Sequence, residues 1–280
     1  MLLNMRLFAM SLTAAVLANQ PLAAATPAVP PADDATYADV VGMADSAALV
    51  AQLQVVSATR VDDARAPGLR PGFGRFYVEA RTKALLAGKT GLGESVRYLV
   101  DLPLDAKGKP PKLKKVDVFV FGRPVAARPG ELQLVSPRAQ LPFTPANDQR
   151  VRGVLRDLVA PDAPARITGV RELLYVPGNL AGQGETQIFL NTADSSAASI
   201  TVRHEPGTAP QWGASFSELV AELGAPPRPE TIEWYRLACF LPNNPPPRAN
   251  VSGSEADRRQ AAADYRMVVG ELGVCERTAR

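Results

Sequence analysis

The chain has 280 residues, of which 46% are hydrophobic, 21% charged and 6% aromatic, and its formal net charge is +3. This is the composition of a globular protein with enough apolar residues for a sizeable core, and it excludes collagen, a coiled coil and a disulfide-dense miniprotein. The chain has one histidine and two cysteines. Because zinc sites need three or four such ligands, we expect no metal and no other cofactor.

The first 25 residues have the parts of a secretory signal peptide. One basic residue, Arg6, precedes an apolar run over 7–18, and small residues follow up to Ala25. This run is shorter than the about 20 residues that span a bilayer. We therefore predict cleavage between Ala25 and Thr26, a flexible leader over 26–36, and a soluble periplasmic or secreted product without a transmembrane segment. The alternative is a retained N-terminal membrane anchor.

The two cysteines, Cys239 and Cys275, would enter an oxidising compartment after export, where disulfides form and persist. Their separation is 275 − 239 = 36 residues, and a loop of that size predicts a stabilisation of about 4 kcal/mol. The pair lacks the Cys-x-x-Cys spacing that tunes thiol reactivity. We therefore predict a structural disulfide.

Short segments of alternating apolar and polar residues dominate the first half of the chain, and a period of two predicts strands. The pattern is clearest where Phe76, Val78 and Ala80 alternate with polar neighbours. Few helices and no alternation of strands with helices predict a five-stranded, β-barrel-like domain over 37–160, with a short helix at its start and an amphipathic helix at its end. The predicted elements are a helix at 37–45, strands at 49–56, 76–83, 96–102, 116–121 and 131–135, and a helix at 147–159.

Residues 165–280 are predicted to form an α+β unit, which makes the whole chain α+β. Ser252 and Glu255 have the spacing of a capping box that opens the last helix, and Gly273 is suited to end it. The disulfide would then join the two C-terminal helices. The predicted elements are a hairpin of strands at 167–176 and 185–192, a strand at 199–203, and helices at 215–223 and 230–241 before the last one.

Two resemblances accompany this pattern. The five-strand half resembles OB-type barrels, which include the secreted netrin-like modules. Netrin-like inhibitors use a free N-terminal cysteine, which this chain lacks, so their mechanism is not implied. The mature chain, above all Val176–Leu190 and Trp234–Pro242, resembles a family of uncharacterised exported proteins from alphaproteobacteria. That resemblance implies no assigned activity.

Motifs for catalysis are missing from the sequence. His204 stands beside Glu205 at the end of a predicted strand, and we expect it to be a surface residue of an edge strand rather than a catalytic base. The sequence contains neither a Gly-x-Ser-x-Gly elbow nor a Ser-x-x-Lys pair. Gly88-Lys89-Thr90 lacks the first glycine of a phosphate-binding loop. No catalytic residue is assigned.

Two loops are candidates for a contact surface. Every lysine lies between Lys83 and Lys115, and five of them fall in the predicted hairpin loop 105–115. Such a loop is attracted to anionic surfaces; its alternative is a solvated hairpin tip. The Gly-rich loop 177–184 is the second candidate, and its alternative is a turn whose glycines only permit the backbone path. The candidate contact residues are Lys112, Lys114, Lys115, Asn179 and Glu185.

These observations favour an exported, non-catalytic binding or interaction protein of the cell envelope, whose partner is an envelope protein or an anionic surface. Nucleic acid is not expected, because the basic loop has no aromatic residues for stacking on bases. The alternative is a cofactor-free envelope hydrolase that uses Asp or Glu residues, which would need a cleft with two carboxylates about 5–10 Å apart.

Overall fold

The computed structural model describes residues 35–217 and 223–278, so the predicted signal peptide, its cleavage site between Ala25 and Thr26 and most of the leader lie outside the described residues. Helix α1 (Tyr37–Ser46) opens the described part. Its start is fixed by a capping box, in which the Thr36 hydroxyl accepts the Asp39 N–H and the Asp39 carboxylate accepts the Thr36 N–H.

Five strands close into a barrel, as predicted. In the sheet, β1 pairs with β2 and β4, β2 pairs with β3, β3 runs parallel to β5, and β5 returns to β4. A short sixth strand also pairs with β4; it was not predicted, because three residues carry too little alternation to be recognised. The strands are β1 (Leu49–Arg60), β2 (Phe73–Gly88), β3 (Ser95–Pro103), β4 (Asp117–Pro124), β5 (Glu131–Leu134) and β6 (Gln140–Pro142).

The alternation of each strand decides which side chains enter the barrel. On β3, Val96, Tyr98 and Val100 are buried, whereas Arg97 and Leu99 face outward. Strand β4 is buried without alternation over 118–121, and α1 contacts this strand. The interior is therefore apolar, and the charged residues of β2 and β3 are collected on the outer surface.

Helix α2 (Pro145–Leu158) follows the barrel and packs against α1. The predicted helix began two residues later, but the Thr144 side chain accepts the Asn147 N–H and Pro145 occupies the first turn, so the helix starts at the cap. Val151 and Val154 are buried on its inner face.

A second, antiparallel sheet has the order β10-β9-β8-β7 and contains the predicted hairpin of β7 and β8. The expected helix at 215–223 is wrong at its start: Ser215 ends β10, where it pairs with Ser199, and 218–222 lie outside the described residues. Trp212 on the same strand is buried, and the pairing of β10 with β9 continues to Ser215, so strand pairing overrides the helical pattern at that residue. The strands are β7 (Ile167–Pro177), β8 (Gly184–Thr192), β9 (Ser199–His204) and β10 (Gln211–Ser215).

Two helices end the chain, α3 (Ile232–Ala238) and α4 (Glu255–Leu272). The capping box of α4 is formed by Ser254 and Asp257 rather than by Ser252 and Glu255, because the Ser252 hydroxyl already bonds Asn250 and the backbone of β7. Gly273 ends α4 with φ 75°, as predicted.

The predicted disulfide is present between Cys239 and Cys275, whose Cα atoms are 5.1 Å apart. It joins the end of α3 to the segment that follows α4. Buried apolar side chains from the barrel, the second sheet and all four helices form one connected core in the described part of the chain.

Candidate functional site

A groove on the outer face of the barrel is the first candidate site, and we call it the barrel groove. Strand alternation turns Arg75 and Tyr77 of β2 outward, and the antiparallel register sets them opposite Asp101 and Leu99 of β3. Its far wall comes from β5 and the loops on either side of that strand. The parallel seam between β3 and β5 is only two register pairs long, so the surface opens beside it into a groove of about 640 Å³.

The lining of the barrel groove includes a bidentate ion pair. Arg75 donates from Nε and Nη2 to the two oxygens of Asp101, at 2.6 and 2.9 Å. Asp101 is only 7% exposed, and its hydrogen bond raises the pKa of Arg75 against the opposing effect of burial. Its two charge-assisted hydrogen bonds fix the relative geometry of the two side chains, so the pair is a rigid part of the groove lining.

The β5 end of the groove carries two more arginines. Arg128 forms an ion pair with Glu131 at 3.0 Å, with two thirds of its own side chain exposed. Arg97 is exposed and lies in register with Glu79 on one side and with Glu131 on the other. These guanidinium groups are accessible to a ligand in the groove.

A smaller cleft of about 70 Å³ adjoins the groove at Asp101 and Pro137 and adds Arg70 and Arg138. The Arg138 guanidinium lies over the Phe73 ring, 5.4 Å from its centroid. Burial, followed by the charge of Arg70, lowers the pKa of Arg138. Among the described residues that line the groove and this cleft, five arginines face two carboxylates, and such a site attracts anions.

The predicted contact residues belong to two different parts of the fold, the barrel and the second sheet. Lys112, Lys114 and Lys115 are exposed in the β3–β4 loop, which starts three residues after Asp101. Asn179 is exposed at the β7–β8 turn, and Glu185 on β8 is half-buried, where it accepts a hydrogen bond from Arg203 at 3.3 Å. The structure thus places the lysines on the barrel and the other two residues on the second sheet.

His204 is not the edge-strand surface residue that we expected. Strand β9 lies inside the sheet between β8 and β10, and the His204 side chain is 16% exposed. Its Nε2 lies 2.9 Å from Oδ2 of buried Asp264 on α4. Asp264 also accepts hydrogen bonds from Thr186 and Gln260. Because this partner is 60 positions away in the chain, no local pattern could reveal the cluster.

The sequence predicts only part of the barrel groove. Period-two alternation does place Arg75, Arg97 and Asp101 on the outer faces of β2 and β3. The neighbouring Arg128 and Arg138 lie in turns, however, and join them only because β5 closes the barrel in parallel with β3.

No three His, Cys, Asp or Glu side chains within 35–217 and 223–278 are grouped so that they could hold a metal ion. No helix of that same part combines the length and apolar character needed to cross a bilayer.

No family model and no curated protein matches the chain. The resemblances to exported alphaproteobacterial proteins and to OB-type barrels therefore stay predictions.

Proposed function

We propose that this is an exported, non-catalytic binding protein whose barrel groove binds an acidic oligosaccharide. The observation that carries the proposal is the groove together with the small cleft that adjoins it, whose linings contain five arginines and two carboxylates beside an open parallel seam. Guanidinium groups are suited to carboxylates because their planar donors match two acceptor oxygens.

The position of the groove supports an extended ligand. We propose that the barrel is of the OB type, and such barrels bind oligonucleotides and oligosaccharides at the face of strands 2 and 3. Here Tyr77 and Leu99 lie between the arginines on that face, and Leu99 is 49% exposed. An aromatic ring and an aliphatic side chain provide apolar surface for sugar rings, while the arginines bind their carboxylates.

The lysines of the β3–β4 loop add exposed positive charge to the same barrel. Lys112, Lys114 and Lys115 are exposed, and none of them forms an ion pair among the described residues. Exposed charges at the approach to a site raise the association rate more than the final affinity. We assign these lysines to ligand attraction and the arginines to binding.

The alternative, an Asp/Glu hydrolase, is less well supported by the same groove. Its two carboxylates, Asp101 and Glu131, are each held by an arginine. Both oxygens of Asp101 accept hydrogen bonds from Arg75, and Oε2 of Glu131 pairs with Arg128, so neither carboxylate stands free of a cation as a general acid or base would. Binding without turnover agrees better with this arrangement.

The binding test uses calorimetric titration of a galacturonic acid pentamer against maltopentaose, a neutral oligosaccharide of equal length. We expect the acidic pentamer to bind and maltopentaose to bind much more weakly. Combined Arg97→Gln and Arg128→Gln should weaken binding about tenfold. Arg152→Gln is the control, because Arg152 is an exposed arginine paired with Asp148 on α2. Equal binding of both sugars, or an equal effect of the control, would refute the proposal.

Chromatography of the same mixtures after incubation separates the two functions. An intact pentamer supports a binding protein. Shortened products that disappear in Glu131→Gln would instead favour the hydrolase.

Export is tested on the N-terminus of the protein made in its host cells. We expect mass spectrometry of the periplasmic or extracellular fraction to find a chain that begins at Thr26. A chain in the cytosol that still carries Met1, with Cys239 and Cys275 unbonded, would refute export.

A further inference from the structure

A second concave site lies where the beginning of β1, the end of β2 and the end of α2 meet, and we call it the apolar cleft. Its volume is about 580 Å³, within the range of about 300–1,000 Å³ that is typical of small-molecule sites. It shares no lining residue with the barrel groove. The two sites can therefore be occupied, and tested, independently of each other.

Small and aliphatic side chains form the walls of the apolar cleft. Ala47 and Ala48 line it from the α1–β1 connection, and Leu155 and Leu158 line it from α2. Both leucines are only partly buried although they pack against the core. Val159, at the end of α2, also lines the cleft and is 77% exposed. Aliphatic surface is thus left uncovered in a concavity, which is the usual mark of a binding site rather than of an isolated exposed residue.

One end of the apolar cleft is cationic. Lys89 is the one charged residue among the described residues that line it, and the hydroxyl-bearing Thr90 stands beside it. Lys89 is exposed and forms no ion pair within the described part of the chain. The apolar cleft therefore combines aliphatic walls with a single positive charge.

We propose that the apolar cleft binds a fatty acid, with its alkyl chain along the leucines and alanines and its carboxylate at Lys89. The match is one of charge and polarity: a fatty acid has one anionic end and an otherwise apolar body. A neutral peptide would leave Lys89 without a partner, and a polyanion would leave the aliphatic walls uncovered. Binding needs no covalent step and no cofactor.

The chain-length dependence of the affinity is the first test. Saturated fatty acids with 8, 10 and 12 carbons would be titrated by calorimetry into the full chain, below their micelle concentrations. Each added methylene should tighten the dissociation constant about fourfold while the cleft still accommodates it. The alcohol of 12 carbons should bind about three to five times more weakly than the acid, because it lacks the charge that faces Lys89.

Two variants assign the binding to this cleft. Ala48→Trp should abolish fatty acid binding, because Ala48 lines the cleft at an exposed position where a large side chain fills it without entering the core. Ala64→Trp is the matched control at another exposed alanine, outside the cleft. Lys89→Ala should weaken the acid about three to five times and leave the alcohol unchanged, with Lys83→Ala as its control. Circular dichroism melting verifies that each variant is folded.

The proposal is overturned by an affinity that does not depend on chain length, or by an Ala48→Trp variant that is folded and binds as the wild type does. Light scattering adds an independent outcome. A dimer that Ala48→Trp converts to a monomer would show that a second copy occupies the cleft, and this result also overturns a fatty acid site.

Discussion

Asp45 and Arg236 are 191 positions apart in the chain, yet their side chains meet in a doubly hydrogen-bonded ion pair, with N–O distances of 2.8 and 3.1 Å. The Arg236 side chain is only 6% exposed, and its Nε donates to the Pro164 carbonyl at 3.1 Å. Arg166, whose side chain is more exposed, also donates hydrogen bonds to Asp45. The pair thus ties α1, next to the barrel, to α3 in the C-terminal part.

Removing one member of this ion pair should markedly lower the free energy of unfolding. Arg236→Ala leaves the Asp45 carboxylate with only the more exposed Arg166, and loss of one partner of a buried ion pair typically costs about 3–5 kcal/mol. Urea unfolding measures the loss. Arg152→Ala on α2, which removes an exposed pair with Asp148, should cost about 0.5 kcal/mol or less. Similar losses in the two variants would contradict a structural role for the buried pair.

The same aspartate should make the stability of the protein pH-dependent. Burial acts to raise the pKa of Asp45, but the hydrogen bonds and charges of Arg236 and Arg166 outweigh it and hold this pKa below its ordinary value. As pH falls, the Asp45 carboxylate takes up a proton in the unfolded chain before it does so in the folded chain. Its contribution to the free energy of unfolding is therefore complete above the unfolded pKa of about 3.9, and it is lost as pH falls through the folded pKa.

Urea unfolding between about pH 6 and pH 2 tests this linkage. The free energy of unfolding of the wild type should fall more steeply below about pH 4 than that of Asp45→Asn, which cannot be protonated at this position. Near pH 6 the two slopes should agree, which serves as an internal control. Parallel curves down to pH 2 would show that Asp45 is not linked to stability.

Local signals account for what the sequence predicts well. Strands such as β2 follow from period-two alternation, because a pleated backbone turns Phe76, Val78 and Ala80 to the same, inner face. The disulfide follows from the number of cysteines and the predicted compartment. Each of these features depends on short stretches of chain or on composition.

Tertiary partners account for what the sequence does not reveal. The pattern at 230–241 indicates a helix but not that Arg236 is buried, since its partner Asp45 belongs to the first helix. In the same way, the five arginines near the barrel groove become one site only after β3 and β5 pair in parallel. The sequence therefore predicts which residues of each strand face outward, but not that these residues meet in one site.

The disulfide should hold the C-terminal segment against α1. Thr278 donates from its N–H and its hydroxyl to Asp39, at 2.9 and 2.8 Å, and the Thr36 hydroxyl donates to the Glu276 carbonyl at 2.8 Å. Cys275→Ser should lower the free energy of unfolding by about 4 kcal/mol. It should also speed hydrogen exchange at the Thr278 amide far more than at the Val78 amide in the barrel.

The double variant Cys239→Ser with Cys275→Ser provides the control for this prediction. Because one bond is lost in either case, the double variant should be no less stable than the single one. If the losses of the two single variants added, each cysteine would stabilise the protein by its own packing and not through the bond.

Asp264 should hold α4 on the second sheet through its hydrogen bonds to β8 and β9. It is buried, and its oxygens accept hydrogen bonds from Thr186 on β8 and interact with His204 on β9. Asp264→Ala leaves these buried polar groups without their acceptor, which should cost about 3 kcal/mol. Thr186→Val removes one donor and should cost about 1 kcal/mol.

A double-mutant cycle in urea separates this network from apolar packing. Once Asp264 is alanine, Thr186→Val should cost nothing or restore about 1 kcal/mol, because it then removes an unsatisfied hydroxyl. Additive losses would mean that the two side chains act separately. An Asp264→Ala variant as stable as the wild type would mean that Ala261, Tyr265 and Val268, which are buried on the same helix, hold α4 in place by themselves.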